Sequence, residues 1–381
     1  MKEFNVVTLK FLDDRTDLLM VGGVQTYIRD LALLAIDKGY KVYIYQLEGK
    51  LEKAIEYEGM IVYSRKVKSE KNQKFFDLLY KEHNHKESVF IIATDQMNIK
   101  SKEKNVITIQ HGIAFDIPGT MIPGLWGRNR LLQHINKLLR CISNVRRFYM
   151  SRNTVCVDYN YYNWFRTLGT IYPGKCVTVI PNYVSGSITI EELKDKLLNR
   201  TTVKKILFAR RFCDYRGAFL FVNVIKRLLQ EYPELDVTFA GEGPLEGPLK
   251  DNFKEVNNIH FTKFSASESI TFHKLYDISV VPTIYSEGTS LSLIEAMAAG
   301  CFPIATHVGG MTNIILDCYN GILCSPDEES LYNSVKEALN MPRDKFNHIV
   351  ENAYSTAISS FSINTWRERW SYYIDNVMSV N

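Results

Sequence analysis

The chain of 381 residues is long for one domain and comfortable for two, so a large buried core is available. Its 46% hydrophobic and 23% charged residues make an ordinary soluble globular composition. A formal net charge of +4 is small for this length and argues against a nucleic-acid binder, leaving room for local concentrations of charge.

No stretch approaches the roughly 18 uncharged apolar residues that a spanning helix needs. Met1–Lys10, "MKEFNVVTLK", carries a glutamate and lacks the apolar core of a signal peptide. Seven cysteines are scattered without a CxxC pair, and the odd count leaves at least one unpaired. Reduced thiols in the cytoplasm are the expectation.

The first half opens with an apolar run, "FNVVTLKFL", and the loop "DDRTDLLMVGGVQTY". A helical pattern in "TYIRDLALLAIDKGY" follows, closed by Gly39, and then the strand-like "KVYIYQL". This strand–loop–helix–strand order predicts a parallel sheet with crossover helices. "SVFIIAT", "NVITIQH" and "CVTVIPN" read as further buried strands. Polar, helix-prone residues from about Ser187 to Lys204 separate this half from a second alternation. Its predicted strands are "KKILFAR", "DVTFAG", "IHFTKF", "ISVVPT" and "FPIAT". The expected fold is α/β, with two Rossmann-like doubly wound domains facing across a cleft, because such sheets bind ligands beyond their strand C-terminal ends. Boundaries are expected at 1–185, 186–361 and 362–381, the last a helix returning to the N-terminal domain.

Between 117 and 157 there is no aspartate or glutamate, while Arg128, Arg130, Lys137, Arg140, Arg146, Arg147 and Arg152 fall inside the span. Helical apolar spacing runs through it, with Trp126 and Phe148 near the ends. Two readings stand: an interfacial helix or funnel for a lipid-diphosphate acceptor at anionic lipid, and an ordinary domain helix with a cationic outer face.

The stretch "YSEGTSLSLIEAMAAG" (285–300) joins a predicted strand to a predicted helix. Gly288 permits unusual backbone angles, and Thr289 or Ser290 can cap the helix. The N–H groups of Thr289, Ser290 and Leu291, with the helix dipole, would then form an anion site suited to phosphate. Glu295 lies about one and a half turns into the helix, within reach of a ribose diol, and Glu287 precedes it. A capped helix with one solvated and one half-buried glutamate is the plainer alternative. Upstream, "ILFARRFCDYRGAFLF" places Arg211 and Arg216 beyond a strand end, two cations suited to a diphosphate. "FAGEGPLEGPL" and "VGGM" are glycine turns after strands.

In this order the motifs resemble the family-4 glycosyltransferases, retaining enzymes of the GT-B fold. The resemblance runs from "VGGVQTYIRDLA" through "VITIQHG", "VIPNYVS", "ILFARRFCDYRG" and "AGEGPL" to "EGTSLSLIEAMAAGCFPIAT", "VGG" and "NGILCSPDEESL", and is closer in the second half. It implies that Gly22 and Gly23 approach the donor's diphosphate and that His111 contacts the donor sugar. Arg211 and Arg216 then neutralise the leaving diphosphate, Glu287 meets the sugar and Glu295 holds the ribose. Asn182, Gly241 and Gly243 join the donor-binding set. The chain departs from the family pattern at several points: Arg210 stands where glycine is usual, Arg216 for lysine, Asn313 for glutamate, Lys263 for glycine, and Tyr183 for a small residue.

The function so implied is retaining transfer of a hexose-type sugar from a nucleotide diphosphate donor to a glycan or lipid-linked glycan acceptor, in cell-surface polysaccharide synthesis. No cofactor and no metal are expected, since no Asp-x-Asp pair or His/Cys cluster stands at a strand end and Asp13–Asp14 reads as loop. The expected location is cytoplasmic, with peripheral contact to the inner face of the membrane as one reading, and no nucleic-acid partner. A nucleotide-sugar epimerase of the same fold and a non-catalytic sugar-nucleotide-binding scaffold are the alternatives.

Overall fold

The computed structural model describes residues 2–20, 22–97, 99–112, 124, 129–168, 175–199, 204–285 and 287–379. The chain divides into two compact units. One comprises Met1–Phe115, Arg130–Pro181 and Trp366–Asn381, and the other is built chiefly from Asn182–Thr365.

Strands of the first unit are β1 (Glu3–Thr8), β2 (Lys41–Gln46), β3 (Glu48–Tyr57), β4 (Met60–Lys66), β5 (Val89–Ile92), β6 (Val106–Gln110), β7 (Asn153–Cys156) and β8 (Cys176–Val179). They form one sheet in the order β3-β4-β2-β1-β5-β6-β7-β8. Every pairing is parallel except β3 with β4, a hairpin turned at Glu58–Gly59, both at positive φ. The central strands are continuous apolar runs because crossover helices cover both faces of a parallel sheet. Helix α1 (Gly23–Asp37) begins at the predicted glycine loop and buries Ile28, Leu31 and Ala35. Helix α2 (Asn72–His83) precedes β5, and α3 (Arg130–Phe148) and α4 (Tyr159–Leu168) flank β7. Asp13 and Asp14 lie in a turn. Asp13 accepts from the backbone of Arg15 and Thr16, and Asp14 from Lys50 N, so the pair is used locally.

The second sheet runs β11-β10-β9-β12-β13-β14, all parallel. Its strands are β9 (Lys205–Ala209), β10 (Asp236–Ala240), β11 (Ile259–Thr262), β12 (Ile278–Val281), β13 (Phe302–Thr306) and β14 (Ile322–Cys324). Counted within the unit the order is 3-2-1-4-5-6, that of a doubly wound dinucleotide-type sheet. The polar stretch before it carries α5 (Ile190–Leu198). Thr189 and Glu192 close a capping box there, and Leu193 and Leu197 enter the core. Helices α6 (Ala218–Glu231), α7 (Glu246–Asp251), α8 (Ser269–His273) and α9 (Leu291–Ala298) connect the strands. After β14 come α10 (Glu328–Asn340), α11 (Arg343–Phe361) and α12 (Ile363–Ser379). From Trp366 onward the last helix belongs to the first unit.

Helix α3 differs from an ordinary domain helix. Its outward positions include Leu131, Ile135, Leu138, Leu139 and Ile142 along with Arg130, Lys137 and Arg146, whereas the buried ones are Asn144 and Phe148. The cations of the sequence reading therefore share the outer face with an apolar stripe. Trp126 and Arg128 lie outside the described residues.

Candidate functional site

In a doubly wound sheet the ligand crevice opens where the strand order reverses. In the second unit this falls between β9 and β12, and Arg210 and Glu287 both lie just beyond those strand ends. Arg210 directly follows β9, and its backbone N–H donates to Ala240 O at 3.0 Å. A side chain on Gly241 (φ 149) would drive its Cβ into Arg210 O, so glycine is needed for these loops to touch. Gly243 packs in the same way on Phe212 O. The glycines of "AGEG" thus set the loop that aims Arg210.

The "VGG" turn does the same for Glu287. Gly309 sits at φ 57, a Cβ there would collide with Glu287 O, and Gly310 N–H donates to that oxygen at 2.8 Å. Asn182 steadies the loop from the other side, donating from Nδ2 to Thr289 O at 2.8 Å.

Three side chains converge on the Glu287 carboxylate. Arg210 Nη2 donates to Oε2 at 2.5 Å, Thr283 Oγ1 donates to the same oxygen at 3.0 Å, and Arg216 Nη1 is paired with it more closely still. Arg210 Nη1 also donates to Ser290 Oγ at 3.0 Å. The expected role of Thr289 or Ser290 as a side-chain cap is corrected here. Ser290 is the N-cap residue of α9, yet its hydroxyl makes no capping bond and receives the Arg210 guanidinium instead.

Burial pushes the Glu287 carboxyl upward in pKa, but Arg210 and then Arg216 outweigh it and hold the group below its ordinary value. Burial likewise lowers Arg210, against the opposing charge of Glu287. Two guanidinium groups against one carboxylate leave net positive charge beside the start of α9. Glu295 is one and a half turns further on. Burial raises its pKa, against a hydrogen bond with Ser269 and the charge of Arg210.

Of the two arginines chosen from sequence, Arg216 joins Glu287 and Arg211 is exposed on the adjacent loop. Sequence reasoning set Arg210 aside as a departure, and it is the more deeply buried partner, its side chain 5% exposed. The signal available was its place as the first residue after β9, at the reversal of strand order.

In the first unit the order reverses between β1 and β5. Gly22 is the N-cap of α1 and Gly23 its first residue. His111 follows β6, and its Nε2 lies 2.9 Å from Ala93 O, beyond the end of β5. A carbonyl only accepts, so Nε2 carries the proton and Nδ1 is the acceptor. Burial lowers the His111 pKa to about 4, so the ring is neutral near pH 7. Tyr27 packs edge-on against it at 5.4 Å, and Trp370 Nε1 donates to Tyr27 Oη at 2.8 Å. Neither Tyr27 nor Trp370 was singled out from sequence.

No group of three or more His, Cys, Asp or Glu side chains arranged to hold a metal occurs among the described residues. No helix among them is long and apolar enough to cross a membrane.

With this geometry in place, residues 189–356 match the family model described as glycosyl transferases group 1. The chain is 22% identical over 334 residues to one component of the human phosphatidylinositol N-acetylglucosaminyltransferase, covering 84% of this chain and 66% of that protein. Alignments to a Clostridium beijerinckii glycogen synthase and a Salmonella typhimurium lipopolysaccharide 1,2-N-acetylglucosaminetransferase span 44% and 58% of those proteins. The chain therefore spans less than two thirds of the length of these relatives.

Among solved structures, sucrose-phosphate synthase from Thermosynechococcus elongatus superposes with a TM-score of 0.74 at 13% identity, over 100% of both chains. The Anabaena protein HepE in complex with UDP gives 0.68 at 13%, covering 99% of this chain and 100% of that one. Likeness at that identity speaks for the fold, and the fold is GT-B, two Rossmann-like domains. The fold is thus that of the GT-B glycosyltransferases, and residues 189–356 resemble the group 1 glycosyl transferases. The matched residues all lie in the second unit.

Proposed function

We propose that the protein moves a hexose-type sugar, with retention, from a nucleotide diphosphate donor to a glycan or lipid-linked glycan acceptor in cell-surface polysaccharide synthesis. The observation that carries the reading is the convergence of Arg210 and Arg216 on Glu287 at the strand-order reversal, beside the start of α9. Glu287 holds both guanidinium groups in place before a ligand arrives, and their excess charge suits a departing diphosphate. Arg210 supplies the charge and the forked donor geometry that the family's usual glycine does not. Arg211, exposed on the same loop, adds to the field. The backbone N–H groups of Thr289, Ser290 and Leu291 face the diphosphate, Gly288 gives the loop its freedom, and Glu295 takes the ribose. Asn182, Gly241 and Gly243 keep the donor loops in place.

In the first unit, neutral His111 offers Nδ1 as an acceptor to a sugar hydroxyl, and Gly22 and Gly23 let backbone approach the diphosphate. The human relative's name specifies a phosphatidylinositol substrate and the Salmonella relative's a lipopolysaccharide. Both support an acceptor tied to a membrane, with the protein working as a peripheral, cytoplasmic-face enzyme.

A thermal-shift screen of nucleoside diphosphates, followed by turnover of the matching nucleotide sugars, tests this reading. A ligand that prefers the folded state raises the melting temperature. A stabilising diphosphate whose sugar derivative is consumed only with a glycan acceptor supports transfer. Consumption or interconversion of the donor without any acceptor would assign an epimerase, and no response to any diphosphate would remove the site.

A further inference from the structure

The outward face of α3 inverts the usual arrangement of a surface helix. Leu131, Ile135, Leu138, Leu139 and Ile142 recur at the i, i+4, i+7, i+8, i+11 spacing of one helical face, and they are 38% to 69% exposed. Inward, the helix buries Asn144 and Phe148, and Asn144 Nδ2 is spent on Arg140 O. A helix that only completed a domain would turn its leucines in and its asparagine out. This one does the opposite.

Charge says what the face fits. Arg130, Lys137, Arg140, Arg146 and Arg147 all lie on α3, which has no acidic residue. These five cations exceed the net charge of +4 carried by the whole chain. Arg130, Lys137 and Arg146 are exposed with the apolar stripe. Self-pairing of two such faces would set cations against cations. The adjoining sequence adds no acid of its own, since none falls between 117 and 157. A helix of this composition is too charged to cross a bilayer, and it has the makings of one that lies in the plane of the interface.

We propose that α3 docks the protein on an anionic bilayer, with Leu131, Ile135, Leu138, Leu139 and Ile142 below the headgroups and Arg130, Lys137 and Arg146 against lipid phosphates. This rests on the peripheral-membrane part of the reading above and names its surface. It does not depend on the reaction.

Co-sedimentation of the full chain with phosphatidylcholine vesicles, with and without phosphatidylglycerol, tests it at low and high salt. Binding is expected only to the anionic vesicles, falling as salt screens the charge. A triple change, Ile135→Ser with Leu138→Ser and Leu139→Ser, is expected to weaken binding by about tenfold or more, since it withdraws the middle of the apolar stripe from the interface. Lys137→Glu with Arg146→Glu should weaken it by a similar factor. These positions are exposed, so circular dichroism and melting temperature are expected to stay as in the parent chain.

Equal binding to neutral and anionic vesicles, or undiminished binding by the triple variant, would overturn the proposal. A dimer that the triple variant dissolves, without vesicle binding by the parent, would hand the face to a second copy and overturn it too. Capture by an acidic protein but not by anionic vesicles would do the same. Calorimetry with nucleoside diphosphates on the same samples separates the two claims. Vesicle binding without nucleotide binding would sink the transferase reading and leave this one standing, and the converse would sink only this one.

Discussion

Arg210 Nη2 donates to Glu287 Oε2 at 2.5 Å, joining the first residue after β9 to the loop that leads into α9. The contact ties two strand ends on either side of the point where the sheet reverses order. It places a guanidinium where the family-4 pattern that the sequence resembles has glycine.

Replacing Arg210 by that usual glycine tests its worth. Arg210→Gly is expected to weaken nucleoside diphosphate affinity by about 10- to 100-fold, in line with the ~1.5–3 kcal/mol of a hydrogen bond to a charged group. Affinity for the free nucleoside should hardly change. The melting temperature should fall, because Glu287 loses one of its two guanidinium partners. Calorimetry with the nucleoside and its diphosphate reads both, and equal affinities in parent and variant would show that Arg210 only braces the loop.

Glu295 gives a prediction with opposite signs in two assays. Burial raises its folded pKa above the unfolded value, so its contribution to stability is present at low pH and lost as pH rises through the folded pKa. Toward neutral pH that contribution falls away. Glu295→Gln should therefore keep or raise the melting temperature at pH 7, while weakening donor and free nucleoside diphosphate alike. The ribose is common to both ligands, so ground-state and transition-state binding fall together. A variant that melts lower and binds normally would make Glu295 a structural residue.

Half-buried His111 and fully buried His273 should contribute to the acid side of the stability curve. Burial lowers His111 and His273 from 6.5 to about 4. A group with a depressed folded pKa gives stability that is present above the unfolded value and lost as pH falls through the folded one. Melting temperatures should decline from about pH 6.5 toward about pH 4, the window bounded by those values. His111→Gln with His273→Gln should flatten that slope, as read by thermal melts across the window.

Turnover is expected to survive a chelator. Arg210, Arg211 and Arg216 offer positive charge for the leaving diphosphate in the second unit. Activity abolished by EDTA and restored by manganese would contradict this.

How much of this was legible in the sequence depends on what each segment must bury. "ILFA", "VTFA", "ISVV" and "FPIAT" are continuous apolar runs, and each is a central parallel strand covered on both faces. The β3–β4 hairpin was not legible, because β3 alternates charged with half-buried residues and so reads as a polar connector. The pair of positive-φ residues Glu58 and Gly59 was its one turn signal. At the site, spacing located Glu287 and Glu295, but nothing in the chain says toward which side of the sheet a residue just past a strand will point. That direction separates buried Arg210 from exposed Arg211. Periodicity likewise finds the apolar stripe of α3 without telling which way it faces.

The most direct test of the central claim compares calorimetry and kinetics for Glu287→Gln. Glu287 competes with a diphosphate for Arg210 and Arg216, so removing its charge should leave nucleoside diphosphate binding intact or slightly tighter. Its role is to hold the guanidinium groups and meet the sugar as charge develops, so donor turnover should fall by about 100-fold, the scale of losing one preorganised electrostatic contact. Binding retained with turnover lost is the expected result. Equal, small effects on both would contradict the claim, and Glu287 would then be no more than the anchor of a loop.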